Sequence, residues 1–179
     1  LVAIKKASAS KRSRAEVIRV LADLPKHAEE IVSMLANQTY VPCKYTEKTI
    51  KEGASAKERK IAKIAFFPDQ IIHWAIILQL QPALLKSSYK YSCGCMPGRG
   101  VHYGKSIIEK WLQRDRKHTK YIAKLDIRKF YPSISHGVMR AAFRRITSDK
   151  RLLAVLDAII CSYSPGLPIG YLTSQWFGN

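Results

Sequence analysis

Asp126 is the residue whose setting most clearly points to chemistry. It sits near the end of the run Tyr121–Ile127, and a turn through Phe130-Tyr131-Pro132 follows at once. A carboxylate at the end of an apolar strand beside a tight turn is where a phosphoryl-transfer site places a metal-ligating acid. From residue 121 onward the acids are Asp126, Asp149 and Asp157, and the last two fall in a helix at a spacing that suggests solvent exposure. The same pattern also suits an Asp that merely caps a turn. A second segment, Pro165-Gly166-Leu167-Pro168-Ile169-Gly170-Tyr171-Leu172-Thr173-Ser174-Gln175, holds two glycines and two prolines within six residues. Such a loop brings backbone close to a ligand and then launches a helix, although an ordinary loop and helix start would look alike.

The elements that must position these residues follow from periodicity and punctuation. Ser13-Arg14-Ala15-Glu16 has the form of a capping box ahead of a helix over about 14–24. Pro25 suits a first helical position, and Ile31, Met34 and Leu35 give the next helix an apolar stripe. A hairpin is expected from Tyr45 to Phe67, turning at Gly53-Ala54-Ser55, with Ala62, Ile64 and Phe66 on one face of its second strand. Arg59, Ile61 and Lys63 then share the other face, and Lys51 lies in the partner strand. Pro68-Asp69 opens a helix to about Leu80, apolar nearly all round and so buried, which Pro82 ends or kinks. Residues 87–103 form a turn-rich loop, 104–118 an amphipathic helix, Tyr121–Ile127 a strand, and Ser135 and Ser148 cap helices reaching about Ile146 and Tyr163.

Composition bounds the partners. The 179 residues carry 31 Lys and Arg against 13 Asp and Glu, a net charge of +18 spread along the whole chain. That excess points to a polyanion, nucleic acid first, with a basic structural protein as the bland alternative. Cys43, Cys93, Cys95 and Cys161 are too few and too unevenly placed for a disulfide framework, which suits a reducing cytoplasm. Cys93, Cys95 and His102 lack a second Cys or His pair at zinc-finger spacing. The longest apolar run, Ile71–Leu80, is far shorter than the roughly 20 residues a membrane span needs, so no membrane is expected. The opening Leu1-Val2-Ala3-Ile4-Lys5-Lys6 has no initiator Met and no signal-peptide core, and reads as an interior or processed start.

Lys124–Ile134 and Gly166-Leu167-Pro168-Ile169-Gly170 with Thr173-Ser174-Gln175 together resemble two successive palm motifs of reverse transcriptases, in the family's order and spacing. Upstream, Arg59-Lys60-Ile61, Pro68-Asp69-Gln70-Ile71-Ile72 and Ser92-Cys93-Gly94-Cys95-Met96-Pro97-Gly98-Arg99-Gly100-Val101-His102 resemble the fingers of group II intron-type bacterial enzymes. The resemblance covers roughly residues 45–179. With Ile169 before Gly170, where intron and retroviral members usually have Gln, the chain looks most like diversity-generating retroelement enzymes, and phage-defence relatives share such variants.

The resemblance implies an α+β fold: right-hand polymerase fingers and a partial palm, with helices packed on a small antiparallel sheet. It divides the chain into N-terminal helices and fingers (1–85), a palm segment with the first catalytic Asp (86–131), a helical fingers segment (132–165) and the start of a second palm segment (166–179). The implied activity is RNA-templated DNA synthesis from deoxynucleoside triphosphates with magnesium, or manganese in its place. Asp126 would ligate both metal ions and the Ile127 carbonyl one of them. Tyr131 would lie under the sugar and exclude a ribose 2′-hydroxyl. Arg59, Lys51 and Lys63 would clamp the triphosphate. Ile169, Gly170 and Gln175 would line the nucleotide site, and Arg99 would touch backbone phosphate. An apolar residue in place of Gln at Ile169 implies looser geometric checking and reduced fidelity.

The sequence contains no adjacent Asp-Asp pair, which the family supplies downstream of the Gln175 helix, so this fragment is expected not to polymerise by itself. Phosphate contacts do not need that pair, and binding of an RNA template or RNA/DNA hybrid is expected with steep salt dependence. Apolar surface left uncovered around the palm strand invites self-association. The alternative from another class is a noncatalytic RNA-binding module of the intron-maturase kind.

Overall fold

The computed structural model describes residues 1–52 and 57–179, so the hairpin turn expected at Gly53-Ala54-Ser55 lies outside the described residues. In chain order the elements are α1 (Val2–Ser8), α2 (Ala15–Ala22), α3 (Leu24–Ala36), β1 (Thr46–Glu52), β2 (Lys57–Lys63), α4 (Ile71–Ser87), α5 (Val101–Arg114), α6 (Phe130–Ser133), α7 (His136–Ile146), α8 (Lys150–Cys161) and α9 (Leu172–Phe177). An irregular turn, Phe66–Gln70, leads into α4, with Phe67 extended inside it. The chain is thus α+β, mostly helical, with one two-stranded antiparallel sheet among the described residues.

Helix α4 is the centre because it is apolar around its circumference. Ile71, Ile72, His73, Ile76, Ile77, Leu80 and Leu84 are buried along it. Around it α1 contributes Ile4 and Ala7, α2 Val17 and Val20, α7 Met139 and Phe143, and α8 Leu156, Ile159 and Ile160, all in one continuous core that also takes Leu167 and Phe177. The core is therefore helix on helix. The hairpin is held at its side by a smaller cluster of Ala62, Ile64 and Tyr171, flanked by Tyr45 and Tyr163. The alternation expected for β2 holds, with Ala62, Ile64 and Phe66 buried and Arg59 and Lys63 exposed.

Several local expectations are corrected. Ser13 does not cap α2, whose N-cap position is Arg14 without a side-chain bond. The side-chain caps belong to carboxylates: Asp23 accepts from the Lys26 amide, and Asp149, not Ser148, accepts from Arg151 and Leu152. An ionised acceptor beside the orphan amides at the positive helix end makes the stronger bond. Ser135 does occupy the N-cap position of α7 but makes no side-chain bond there. Helix α4 runs on through Pro82 to Ser87, since apolar contacts on both sides hold it across the missing hydrogen bond. Helix α5 begins at Val101, within the expected loop, and ends at Arg114.

The largest correction concerns residues 121–127. They form no ladder with any described residue, and Tyr121, Ile122, Leu125 and Ile127 stand in solvent at 93%, 78%, 92% and 61% exposure. The alternating pattern specifies a strand face, but a strand needs another backbone to satisfy its N–H and C=O groups, and no described strand lies beside it.

Candidate nucleotide and nucleic-acid site

Two backbone contacts bring three sequence-distant segments together. After the 121–127 run, Lys129 takes a left-handed conformation (φ 52°) that turns the chain into the short helix α6. There the Tyr131 carbonyl accepts a hydrogen bond from the Leu167 amide at 3.0 Å. Gly166 (φ 69°) sits so close to Tyr131 and Pro132 that a Cβ on it would overlap their backbone atoms. His136, at the start of α7, braces the same loop through its Nε2, 2.7 Å from the Gly166 carbonyl oxygen.

The loop then reaches the hairpin. The Ala62 amide donates to the Ile169 carbonyl at 2.8 Å, so Ile169 docks on the edge of β2 that faces away from β1. Gly170 (φ 113°) follows against Ile61 and Ala62, and a Cβ there would lie 2.6 Å from Ile61 Cγ2. Tyr171 is buried, its ring tilted against His73 of α4 at 5.3 Å. Thr173, at the start of α9, places its hydroxyl 3.3 Å from His73 Nδ1. Burial without a charged partner drives the His73 pKa down to about 3. A neutral imidazole thus pins α9 to α4.

The register of the hairpin sorts the cations by face. Arg59 stands opposite Ile50, Ile61 opposite Lys48, and Lys63 opposite Thr46. Directly opposed residues of an antiparallel pair share a face, so Lys48 joins Arg59 and Lys63. Lys51 stands opposite Glu58, which alternates with Arg59, and so it lies on the reverse face. The expected grouping of Lys51 with Arg59 and Lys63 is corrected on that point. On the reverse face Lys60 Nζ lies 3.8 Å from Glu47.

A cleft of about 420 Å³ opens where the hairpin, the Gly170 loop and the N-terminal helices meet. Lys48 and Lys63 line it from the hairpin, Lys11 and Arg14 from the turn before α2, and Gly170 and Leu172 from the loop. Lys11 Nζ donates to Gln70 Oε1 at 2.6 Å. Burial, with Arg14 nearby, lowers the Lys11 pKa. Lys11, Arg14 and Lys48 escape sequence reasoning because the N-terminal segment reads as packing helices. The one signal there was the cluster Lys11-Arg12-Ser13-Arg14 beside a helix start.

The remaining expected site residues are distributed as follows. Asp126 is exposed and makes no hydrogen bond or ion pair with a described residue. Ile127 is exposed, Tyr131 and Ile169 are half-buried, and Gln175 is exposed on α9. Burial raises the Tyr131 phenol. Arg99 Nη1 donates to the Lys90 carbonyl at 3.2 Å, which ties it to its own loop. The Asp126 carboxylate and Ile127 carbonyl are hard oxygen donors of the sort magnesium or manganese takes. Among the described residues no group of three or more His, Cys, Asp or Glu is gathered to hold a metal, so these two oxygens do not by themselves make a metal centre.

No described helix is long and apolar enough to cross a membrane. No protein-family model matches this chain, and no curated protein matches it.

Proposed function

We propose that this chain is the fingers and opening palm of a reverse transcriptase, gripping an RNA template and an RNA/DNA hybrid and positioning a deoxynucleoside triphosphate. The observation that carries the reading is the Leu167–Tyr131 backbone bond, because it joins the turn after Asp126 to the loop of Ile169 and Gly170. Two motifs separated by about 40 residues in the sequence have no local reason to meet. The further bond from Ala62 to Ile169 brings the cationic hairpin to the same loop, as a nucleotide site with a phosphate clamp requires.

In this arrangement Arg59, Lys63 and Lys48 draw phosphate to one face of the hairpin, and Gly170 keeps the loop backbone flush against it. Tyr131 offers a ring at the position where a sugar is checked, and Ile169 a smooth apolar surface beside the base. Magnesium, when bound with the nucleotide, supplies neutralisation of developing phosphate charge. Asp126 is the residue of this chain that would hold it.

The test titrates the chain into a labelled RNA-template/DNA-primer duplex with magnesium and one deoxynucleotide at a time. The next complementary nucleotide is expected to tighten the complex several-fold over the other three, and Asp126→Ala to remove that preference. Equal effects of all four nucleotides, unchanged in Asp126→Ala, would overturn the polymerase reading and leave a module that only grips RNA.

A further inference from the structure

The cleft beside Gly170 is cationic at its rim and of a different character beneath. Arg14, Lys48 and Lys63 are exposed where they line it, whereas Ile61, Leu172 and Trp74 are half-buried and His73 is buried at 1% exposure. Among the described residues no carboxylate lines the cleft. Phosphate therefore has partners at the mouth, and a flat apolar group has a surface below. At about 420 Å³ the cleft stands near the lower end of the roughly 300–1,000 Å³ that small-ligand pockets span, room for one unit of a strand and not for a paired stretch.

His73 decides which group goes deepest. Its Nδ1 lies 3.3 Å from the buried Thr173 hydroxyl, and that hydroxyl has no other hydrogen-bond partner among the described residues. A buried hydroxyl whose proton finds no acceptor costs more than one with a spare lone pair, so Thr173 donates and Nδ1 accepts. The proton of the neutral ring then stands on Nε2. Each fully buried side-chain nitrogen and oxygen among the described residues has a hydrogen-bond partner, and Nε2 makes no bond with any of them. Nε2 is therefore open, and it opens on this cleft. An uncharged N–H thus faces inward beneath the cations of the rim.

An uncharged donor gains little from phosphate, which the rim already draws, and most from a neutral acceptor carried on an apolar body. In a nucleic-acid strand that group is the edge of a base, and only an unpaired base leaves its edge free. We propose that this cleft holds one unpaired nucleotide of a single-stranded RNA, its phosphate among Arg14, Lys48 and Lys63, its base against Trp74, and a base-edge oxygen or nitrogen accepting from His73 Nε2. Every base carries an acceptor on its free edge, so the pocket selects single strand over duplex and not one base over another. The pocket rests on the RNA grip proposed above and on none of the nucleotide chemistry proposed with it.

The test needs neither magnesium nor deoxynucleotide. Fluorescence anisotropy across a salt series compares an oligouridylate of about eight nucleotides with the same ribose-phosphate backbone lacking its bases. The parent is expected to bind the base-bearing strand about tenfold more tightly. Trp74→Leu and His73→Leu are each expected to cut that preference to about threefold or less with the salt slope unchanged, while His73→Gln, whose amide N–H stands in for Nε2–H, keeps it. Lys48→Ala should do the reverse, lowering the slope and leaving the base preference as it was. A deoxy strand of the same bases should show the same preference over its own base-free backbone, since the base and not the sugar meets His73. Equal binding of the two RNA strands by the parent overturns the pocket, leaves the RNA grip standing, and depends on no variant folding. A preference that either leucine variant leaves intact, that His73→Gln loses, or that vanishes in the deoxy strand also overturns it. No RNA binding at all removes the grip and the pocket together.

Discussion

The Ala62 amide and the Ile169 carbonyl, 107 positions apart by their numbers, share a 2.8 Å hydrogen bond that seats the second motif on the free edge of β2. The close approach depends on Gly170. At φ 113° an L side chain is strained, and its Cβ would meet Ile61 Cγ2 at 2.6 Å and the Ala62 carbonyl oxygen at 2.5 Å. Gly170→Ala is therefore expected to cost about 1–3 kcal/mol. Urea unfolding checks the stability loss. Lys63, which lines the cleft beside Gly170, should lose protection of its neighbouring amides in hydrogen exchange as the loop lifts from β2.

His73 makes stability depend on pH. In the folded chain it stays neutral down to about pH 3, whereas unfolded it takes a proton near 6.5. The unfolded state therefore binds the extra proton between those values, so this stabilisation is fully present above about 6.5. It falls by about 1.4 kcal/mol for each unit of pH below that, down to about 3. Asp69 opposes it in part: burial raises its carboxyl, so its ionisation costs stability as pH rises. The difference in unfolding free energy between the parent and His73→Gln isolates the imidazole, and it should shrink as pH falls from 7 to 4.

Tyr40 holds the N-terminal half to the start of α4 through that same Asp69. The carboxylate has no solvent exposure, and accepts from Tyr40 Oη at 2.9 Å and from the Cys43 amide at 3.2 and 3.3 Å. Tyr40→Phe removes the hydroxyl without changing the ring, and leaves a buried charge short of a donor. A loss of about 1–3 kcal/mol is expected by denaturant titration. The Asp69 carboxyl should rise further, because the Tyr40 bond is the largest influence holding it down.

What the sequence revealed follows from which interactions are local. The burial of Ala62, Ile64 and Phe66 was legible because strand alternation needs nothing beyond neighbouring residues. So was the buried character of α4, which is apolar all round. Where a second backbone decides, legibility ends. The run Tyr121–Ile127 has the right alternation and still finds no partner strand among the described residues, and the face of Lys51, which the sequence placed only in the partner strand, is set by the cross-strand register. The choice of Asp149 over Ser148 as cap turned on a single residue of phase. The cleft contribution of Lys11 and Arg14 arises from packing of α1 and α2 on α4, which no local pattern announces.

Lys48 and Lys51 provide the sharpest check on that face assignment, since they are three residues apart in one strand and carry the same charge. Lys48, opposite Ile61, lines the cleft with Lys63, Lys11 and Arg14, whereas Lys51, opposite Glu58, points to the other side of the sheet. If polyanion binds in the cleft, removing Lys48 takes away one phosphate contact and removing Lys51 takes away none. Lys48→Ala should then weaken binding of a single-stranded RNA about three- to tenfold at moderate salt and reduce the slope of log affinity against log salt by about 0.7. Lys51→Ala should shift affinity by less than about twofold and leave the slope as it was, because a cation outside the contact acts only through a screened field. Lys63→Ala should behave as Lys48→Ala does. Fluorescence anisotropy across a salt series measures all three. Equal losses from Lys48 and Lys51 would mean that the RNA lies along the hairpin edge and touches both faces, not in the cleft beside Gly170.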